Sequence, residues 1–194
     1  MTDATPDDPV TPTQGPRQGR AADDALTGSH RDRFASHPDR DSYDTLAALG
    51  DPELLAWAVD HLRTALDTGT PDPEAADLLT VILLAQDRAA EAWEAAERYD
   101  ASPQARVEVA RRHRHTDPEA CGGFFMTRAE TLIGQRDRDS YTAAAELVAL
   151  AAECLDLYVA PGTGETYVAE LRYTYCRRRH LMAAFDARGL PDDL

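Results

Sequence analysis

The sequence predicts an all-α fold, a stack of antiparallel helical hairpins behind a disordered N-terminal tail. Three observations predict it. Four dipeptides, Asp51-Pro52, Asp72-Pro73, Ser102-Pro103 and Asp117-Pro118, each set an N-cap residue before a proline. The Asp or Ser oxygen accepts a bond from an orphan backbone N–H, and proline suits a first helical position because its missing N–H is not needed there. The segments that follow carry apolar residues at three- and four-residue spacing, the mark of one helix face, and no segment reads as a strand. Apolar residues make up 43% of the 194, with alanine supplying much of that share, which favours close helix–helix approach.

Taken in order, residues 1–40 hold five prolines and few large apolar side chains, chiefly Val10, Leu26 and Phe34. Such a segment buries too little apolar surface to offset its ordering entropy, so it is read as a disordered tail. A helical-repeat domain is expected over 41–190, with 191–194 as a short C-terminal tail. It begins with a short helical turn at Tyr43–Leu49 and a helix over about 52–67, with Leu54, Leu55, Ala58, Leu62, Ala65 and Leu66 on one side and a stop at Gly69.

The next helix, about 73–86, is apolar on several faces (Leu78, Leu79, Val81, Ile82, Leu83, Leu84) and should be buried on several sides. A break at Gln86-Asp87-Arg88 leads into Ala-Ala-Glu-Ala-Trp, with Ala89, Ala92, Trp93 and Ala96 in helical register. Paired helices with short turns and small contact residues are how tetratricopeptide-like solenoids are built. The strict consensus is absent, so the repeat is degenerate.

A helix over 103–113 ends in Arg111-Arg112-His113-Arg114-His115, which complements the helix dipole or forms a binding patch. The helix over 118–134 has Cys121, Phe125, Ala129 and Leu132 as its stripe. Its Gly122-Gly123 pair costs about 1 kcal/mol per glycine against alanine, so it either kinks the start or admits a close neighbour. From Ser140 to about Tyr158 the helix is apolar around most of its circumference. The loop Pro161-Gly162-Thr163-Gly164 then turns the chain into a last helix over about 165–187, closed by Gly189 and Pro191.

That last helix carries a seam of Val168, Leu171, Tyr175, Met182 and Phe185, which passes through Arg178. A guanidinium on an apolar seam needs a partner or must snorkel outward. Counting back across the loop sets Arg178 level with Glu146. An Arg178–Glu146 ion pair is therefore expected, with Glu130 as the alternative. Arg177 and Arg179 flank the seam and are free for an acidic or phosphorylated partner, which arginine forks match, or for the chain's own carboxylates.

From Asp117 to Leu190 the segments DPEAC…RAETLI, RDRDSYTAAAEL and TYVAELRYTYCRRRHLMAAFDARGL resemble the C-terminal helical region of bacterial SWIM zinc-finger family proteins. That family's zinc site is a separate Cys-x-Cys…Cys-x-His motif, absent here, so neither zinc binding nor a finger-linked nucleic-acid role carries over. The resemblance implies a helical interaction module.

The remaining chemistry is sparse. Cys176 and His180, four apart, would share one helix face as a metal pair does, but two ligands need Cys121 or Cys154 to complete a zinc site. There is no lysine, so a P-loop or a pyridoxal Schiff base is excluded. No G-x-S-x-G or H-E-x-x-H occurs, and His61 beside Asp60, or Glu165 with Glu170, are ordinary surface pairs. The net charge of −15 repels phosphate backbones and anionic membranes, so general binding to either is disfavoured. Three cysteines and an acidic, polar N-terminal sequence lead to the expectation of reduced thiols in a cytoplasm. The function expected is a non-catalytic protein–protein interaction scaffold or adaptor without a cofactor. The alternatives are an accessory subunit of a SWIM zinc-finger or ATPase-type system, and a small-molecule or zinc-binding bundle.

Overall fold

The computed structural model describes residues 17–192, with side chains from Leu26 onward. Among these the secondary structure is helical throughout, with no strand. The helices are α1 (Arg17–Ser36), α2 (Arg40–Ala48), α3 (Pro52–Thr68), α4 (Pro73–Ala85), α5 (Ala89–Arg98), α6 (Pro103–His113), α7 (Pro118–Gln135), α8 (Arg138–Tyr158), α9 (Thr163–Tyr175) and α10 (Arg179–Arg188). Contacts divide the described residues into two compact units, one ending at Leu62 and the other beginning at Arg63. The division falls inside α3, where the sequence suggested no boundary between 41 and 190.

All four Asp/Ser–Pro pairs cap helices. Asp51 Oδ1 accepts from Glu53 N at 2.9 Å, Asp72 Oδ1 from Glu74 N at 3.0 Å, Ser102 Oγ from Ala105 N at 3.3 Å and Asp117 Oδ1 from Ala120 N at 3.0 Å. Two further caps lack the proline that flagged the others. Asp39 accepts from Ser42 N at 2.7 Å and Asp137 from Ser140 N at 2.8 Å, which starts α2 at Arg40 and α8 at Arg138. Hydrogen bonds hold both capping carboxyls below the usual aspartate range, from the Ser42 backbone N–H and then its hydroxyl at Asp39, and from the Ser140 hydroxyl and then its backbone N–H at Asp137.

In the first unit, the disordered tail expected over 1–40 is corrected for its later part, from Leu26 on, where α1 packs and runs to Ser36; residues 1–16 lie outside the described residues. Composition missed this because one aromatic residue anchors the helix. Phe34 is fully buried, its ring 6.4 Å from Tyr43, 6.1 Å from Trp57 and 6.2 Å from His61. Trp57 is stacked on His61 at 5.2 Å and covered by the Arg31 guanidinium at 4.3 Å.

In the second unit, α4 is buried on several sides, as its composition predicted, from Ala75 to Leu84. The α4–α5 turn places Asp87 in the left-handed region (φ 59°), and Arg88 N returns to Leu83 O at 2.9 Å to close the helix end. Helices α7 and α8 pack along their length. Their core joins Phe125, Ala129 and Ile133 to Ala144, Val148 and Ala151, with Val168, Leu181 and Phe185 from α9 and α10. Helix α7 runs unbroken through its glycine pair. Of the two expectations for that pair, close approach holds at Gly122, where a Cβ would lie 3.0 Å from the Cys154 Cβ. At Gly123 there is nothing within 4 Å.

The last helix differs most from expectation. The single helix read over 165–187 is two, α9 and α10, separated at Cys176–Arg178. Arg178 N bonds to Tyr175 O at 2.8 Å and Arg178 itself adopts φ −91°, ψ 80°, which takes its carbonyl off the α9 ladder and starts α10 in a new direction. Breaking there lets both Val168 and Phe185 reach the α7–α8 core. The C-terminal piece is therefore three helices, closed by Gly189 in the left-handed region at φ 76°.

Candidate functional site

The break rearranges every residue singled out at this end of the chain. The Arg178–Glu146 pair is not formed. Arg178 Nη1 donates to Ile133 O at 2.8 Å and its guanidinium lies over the Tyr175 ring at 4.6 Å, while Glu146 pairs with Arg111 at 2.8 Å. Arg178 thus satisfies a carbonyl near the end of α7 in place of a carboxylate of α8. The buried arginine is instead Arg172 of α9, its side chain 10% exposed. It donates to Asp186 at 2.8 Å and to Leu190 O at 3.0 Å and forms an ion pair with Asp192 at 3.1 Å, tying α9 to α10 and the residues beyond.

Cys176 and His180 stand on opposite sides of the break, Cys176 ending α9 and His180 in the first turn of α10, both exposed. The four-residue helical spacing that would pair them is therefore lost. Among the described residues no three His, Cys, Asp or Glu side chains gather as a metal site does. Cys121 and Cys154 are fully buried between α7 and α8. Burial, with a neighbouring thiol or carboxylate, pushes the Cys121 thiol up to about 12 and the Cys154 thiol to about 11. Both are packing groups at neutral pH rather than nucleophiles or ligands. Arg177 and Arg179 are exposed and, among the described residues, form no ion pair.

The basic end of α6 is absorbed by α8. Arg111 pairs with Glu146, and Arg114 Nε donates to both Glu153 oxygens at 3.2 Å. Two partners across a helix–helix contact explain this run better than the dipole alone. On α5, Glu91 accepts from Arg88 at 2.6 Å and from Arg63 at 2.8 Å, Arg88 being the stronger influence, and these bonds hold its carboxyl down to about 2.

Among the described residues, a groove lies open over α6, α7 and α8. One lobe, of about 210 Å³, has Val107, Leu132, Ala143 and Leu147 as its apolar floor. The other, of about 260 Å³, runs between α6 and α7 beside Phe124, Thr127 and Thr131. Pro103 and Arg128 border both lobes. The lining repeats every four residues on each helix (Pro103, Val107, Arg111; Phe124, Arg128, Leu132; Ala143, Leu147), so each helix contributes one face.

The hydroxyls of Thr127 and Thr131 donate back to Gly123 O at 3.0 Å and Thr127 O at 2.9 Å. With those protons committed within α7, the polar character of the groove comes mainly from its arginines. Comparison with protein-family models, with curated proteins and with solved structures finds no match to this chain.

Three arginines and one glutamate line the groove on a chain of net charge −15. Arg106 is neutralised by Glu97 and by Asp100 at 3.6 Å, and its guanidinium lies 5.5 Å from the Phe124 ring centroid. Arg111 is neutralised by Glu146. Arg128, half-buried at the junction of the lobes, has no carboxylate within ion-pairing distance among the described residues. Sequence reasoning missed it because it lies between Phe124 and Leu132 on a helix read only for its core stripe. The signal was present as a four-residue row, but the row gains meaning only once α6 and α8 are known to flank it. Among the described residues, no helix is long and apolar enough to cross a membrane.

Proposed function

We propose that this chain is a protein–protein interaction scaffold or adaptor of degenerate tetratricopeptide-like build, with recognition in its helical surface and no catalytic step of its own. The observation that carries this reading is the open α6–α7–α8 groove, with its apolar floor and a half-buried, unpaired arginine at its centre. Open apolar grooves between helices suit a segment of another chain, whereas small-molecule sites are more enclosed. The thiols and histidine weighed for chemistry do not converge, which leaves the surface as the better candidate. The net charge of −15 is unfavourable to a nucleic-acid partner, and the proposal includes none.

The resemblance to the C-terminal region of SWIM zinc-finger family proteins supports a second, narrower reading, an accessory subunit working beside a zinc-finger or ATPase-type partner. Its span, Asp117 to Leu190, coincides with α7–α10, which share one hydrophobic core and could act as a unit. Zinc binding by Cys176 and His180 has lost the helical spacing on which it rested. Purification of the tagged chain from its native extract, followed by mass spectrometry, tests the proposal. A stoichiometric protein partner is expected, and a clean monomer with no partner at any stage contradicts it.

A further inference from the structure

The groove is specific about what can fill it. Its two lobes are apolar, and the cation at their junction is the one lining arginine that no carboxylate of the described residues neutralises. A small anion would meet Arg128 but leave both floors wet. A purely apolar segment would cover the floors and strip water from an unpaired guanidinium, which is costly. The occupant that satisfies both is a peptide segment with a carboxylate between aliphatic side chains.

We propose that the α6–α7–α8 groove docks an acidic, leucine-bearing segment of a partner protein. Its carboxylate accepts from the Arg128 guanidinium, and its aliphatic side chains lie on Val107, Leu132 and Leu147 in one lobe and beside Phe124 in the other. This rests on the scaffold reading and names the partner's chemistry. The chain's overall negative charge does not forbid such a partner. The Debye length is about 8 Å at physiological ionic strength, so a seated carboxylate responds to Arg128 and the paired Arg106 and Arg111 more than to distant acids. Arginine is also the side chain best shaped for a carboxylate, through a planar fork of donors.

Three fluorescein-labelled helical peptides of identical length test this on the full chain. They carry leucines flanking a central Glu, Gln or Lys and are followed by fluorescence anisotropy and by amide chemical-shift mapping. The Glu peptide should bind, with shifts confined to α6, α7 and α8, and the Gln peptide about tenfold more weakly, the loss of one charge-assisted contact. Arg128→Met, which keeps the stem packing, should bring the Glu peptide down by a similar factor with unchanged helicity, and Arg128→Glu should favour the Lys peptide. Equal binding of all three peptides, no binding by any, or shifts lying elsewhere would overturn the proposal. So would sedimentation showing the groove closed by a second copy of the chain. A native partner retained equally by wild type and Arg128→Met would sink this inference while leaving the scaffold reading standing; finding no partner at all would sink that reading itself.

Discussion

Replacing Gly164 by alanine should cost more than any other single-methyl change in the chain's last three helices. Gly164 was read as part of a turn, but its Cα faces the backbone of α8. A Cβ there would lie 2.4 Å from Ala152 O and under 3 Å from the Ala152 C and Cα. These are backbone atoms, so no side-chain rotation relieves the overlap. The start of α9 must lift off α8, and the bond from Gly164 N to Asp156 Oδ1, 2.8 Å long, lengthens with it. Overpacking of this kind costs about 1–3 kcal/mol, and part of a charge-assisted hydrogen bond adds to it, so the expected loss is about 2–4 kcal/mol. Urea unfolding followed by circular dichroism should show a lower midpoint with little change in slope. Gly123→Ala is the internal control. With open space at its Cβ in mid-helix, it should raise stability by about 0.5–1 kcal/mol. A Gly164→Ala protein as stable as wild type would refute the α8–α9 contact described above.

Three further outcomes follow from the same contacts. Arg172→Met should destabilise by about 1–3 kcal/mol in denaturant titrations, while Asp186→Ala and Asp192→Ala, whose carboxylates are 61% and 82% exposed, should each cost less than about 1 kcal/mol; equal losses would deny Arg172 its role as the buried partner. The Glu91 carboxyl is lowered from 4.5 to about 2 in the folded chain, so its contribution is fully present above about pH 4.5 and is lost as pH falls toward about 2. The stability gap between wild type and Glu91→Gln should therefore close over that window in melts at a pH series; because the side chain is 40% exposed, the gap at neutral pH stays under about 1 kcal/mol, and a gap that widens on acidification contradicts the assignment. Native protein should react rapidly with a thiol reagent at Cys176 alone, Cys121 and Cys154 becoming reactive only on unfolding; fast labelling of either buried thiol would argue against the α7–α8 packing.

Much of the fold was legible because its signals are local. At Asp51, Asp72, Ser102 and Asp117 the residue before proline marks a helix start, and the boundaries of α3, α4, α6 and α7 followed to within a residue or two. Asp39 and Asp137 cap just as well but were hidden by their ordinary neighbours. The break at Cys176–Arg178 was not legible. No glycine or proline marks it, and it arises because both α9 and α10 gain burial against α7 and α8 by diverging there. Once missed, it carried the apolar seam in a false register through Arg178 and past Arg172, and it placed Cys176 and His180 on a shared face they do not have. The helix α1 was lost to averaging, since one buried Phe34 outweighs a polar, proline-containing composition. The groove depends on which helices are neighbours, and that information is tertiary.

The most direct test of the account is site-specific photo-crosslinking in native extract, with a photoreactive residue at Thr131 in the groove in one protein and at Tyr173, 86% exposed on α9, in another. One dominant protein adduct is expected from Thr131, lost when Arg128→Glu is added, and little from Tyr173. A partner captured at Tyr173 and not at Thr131, or an adduct at Thr131 that ignores Arg128, would contradict it.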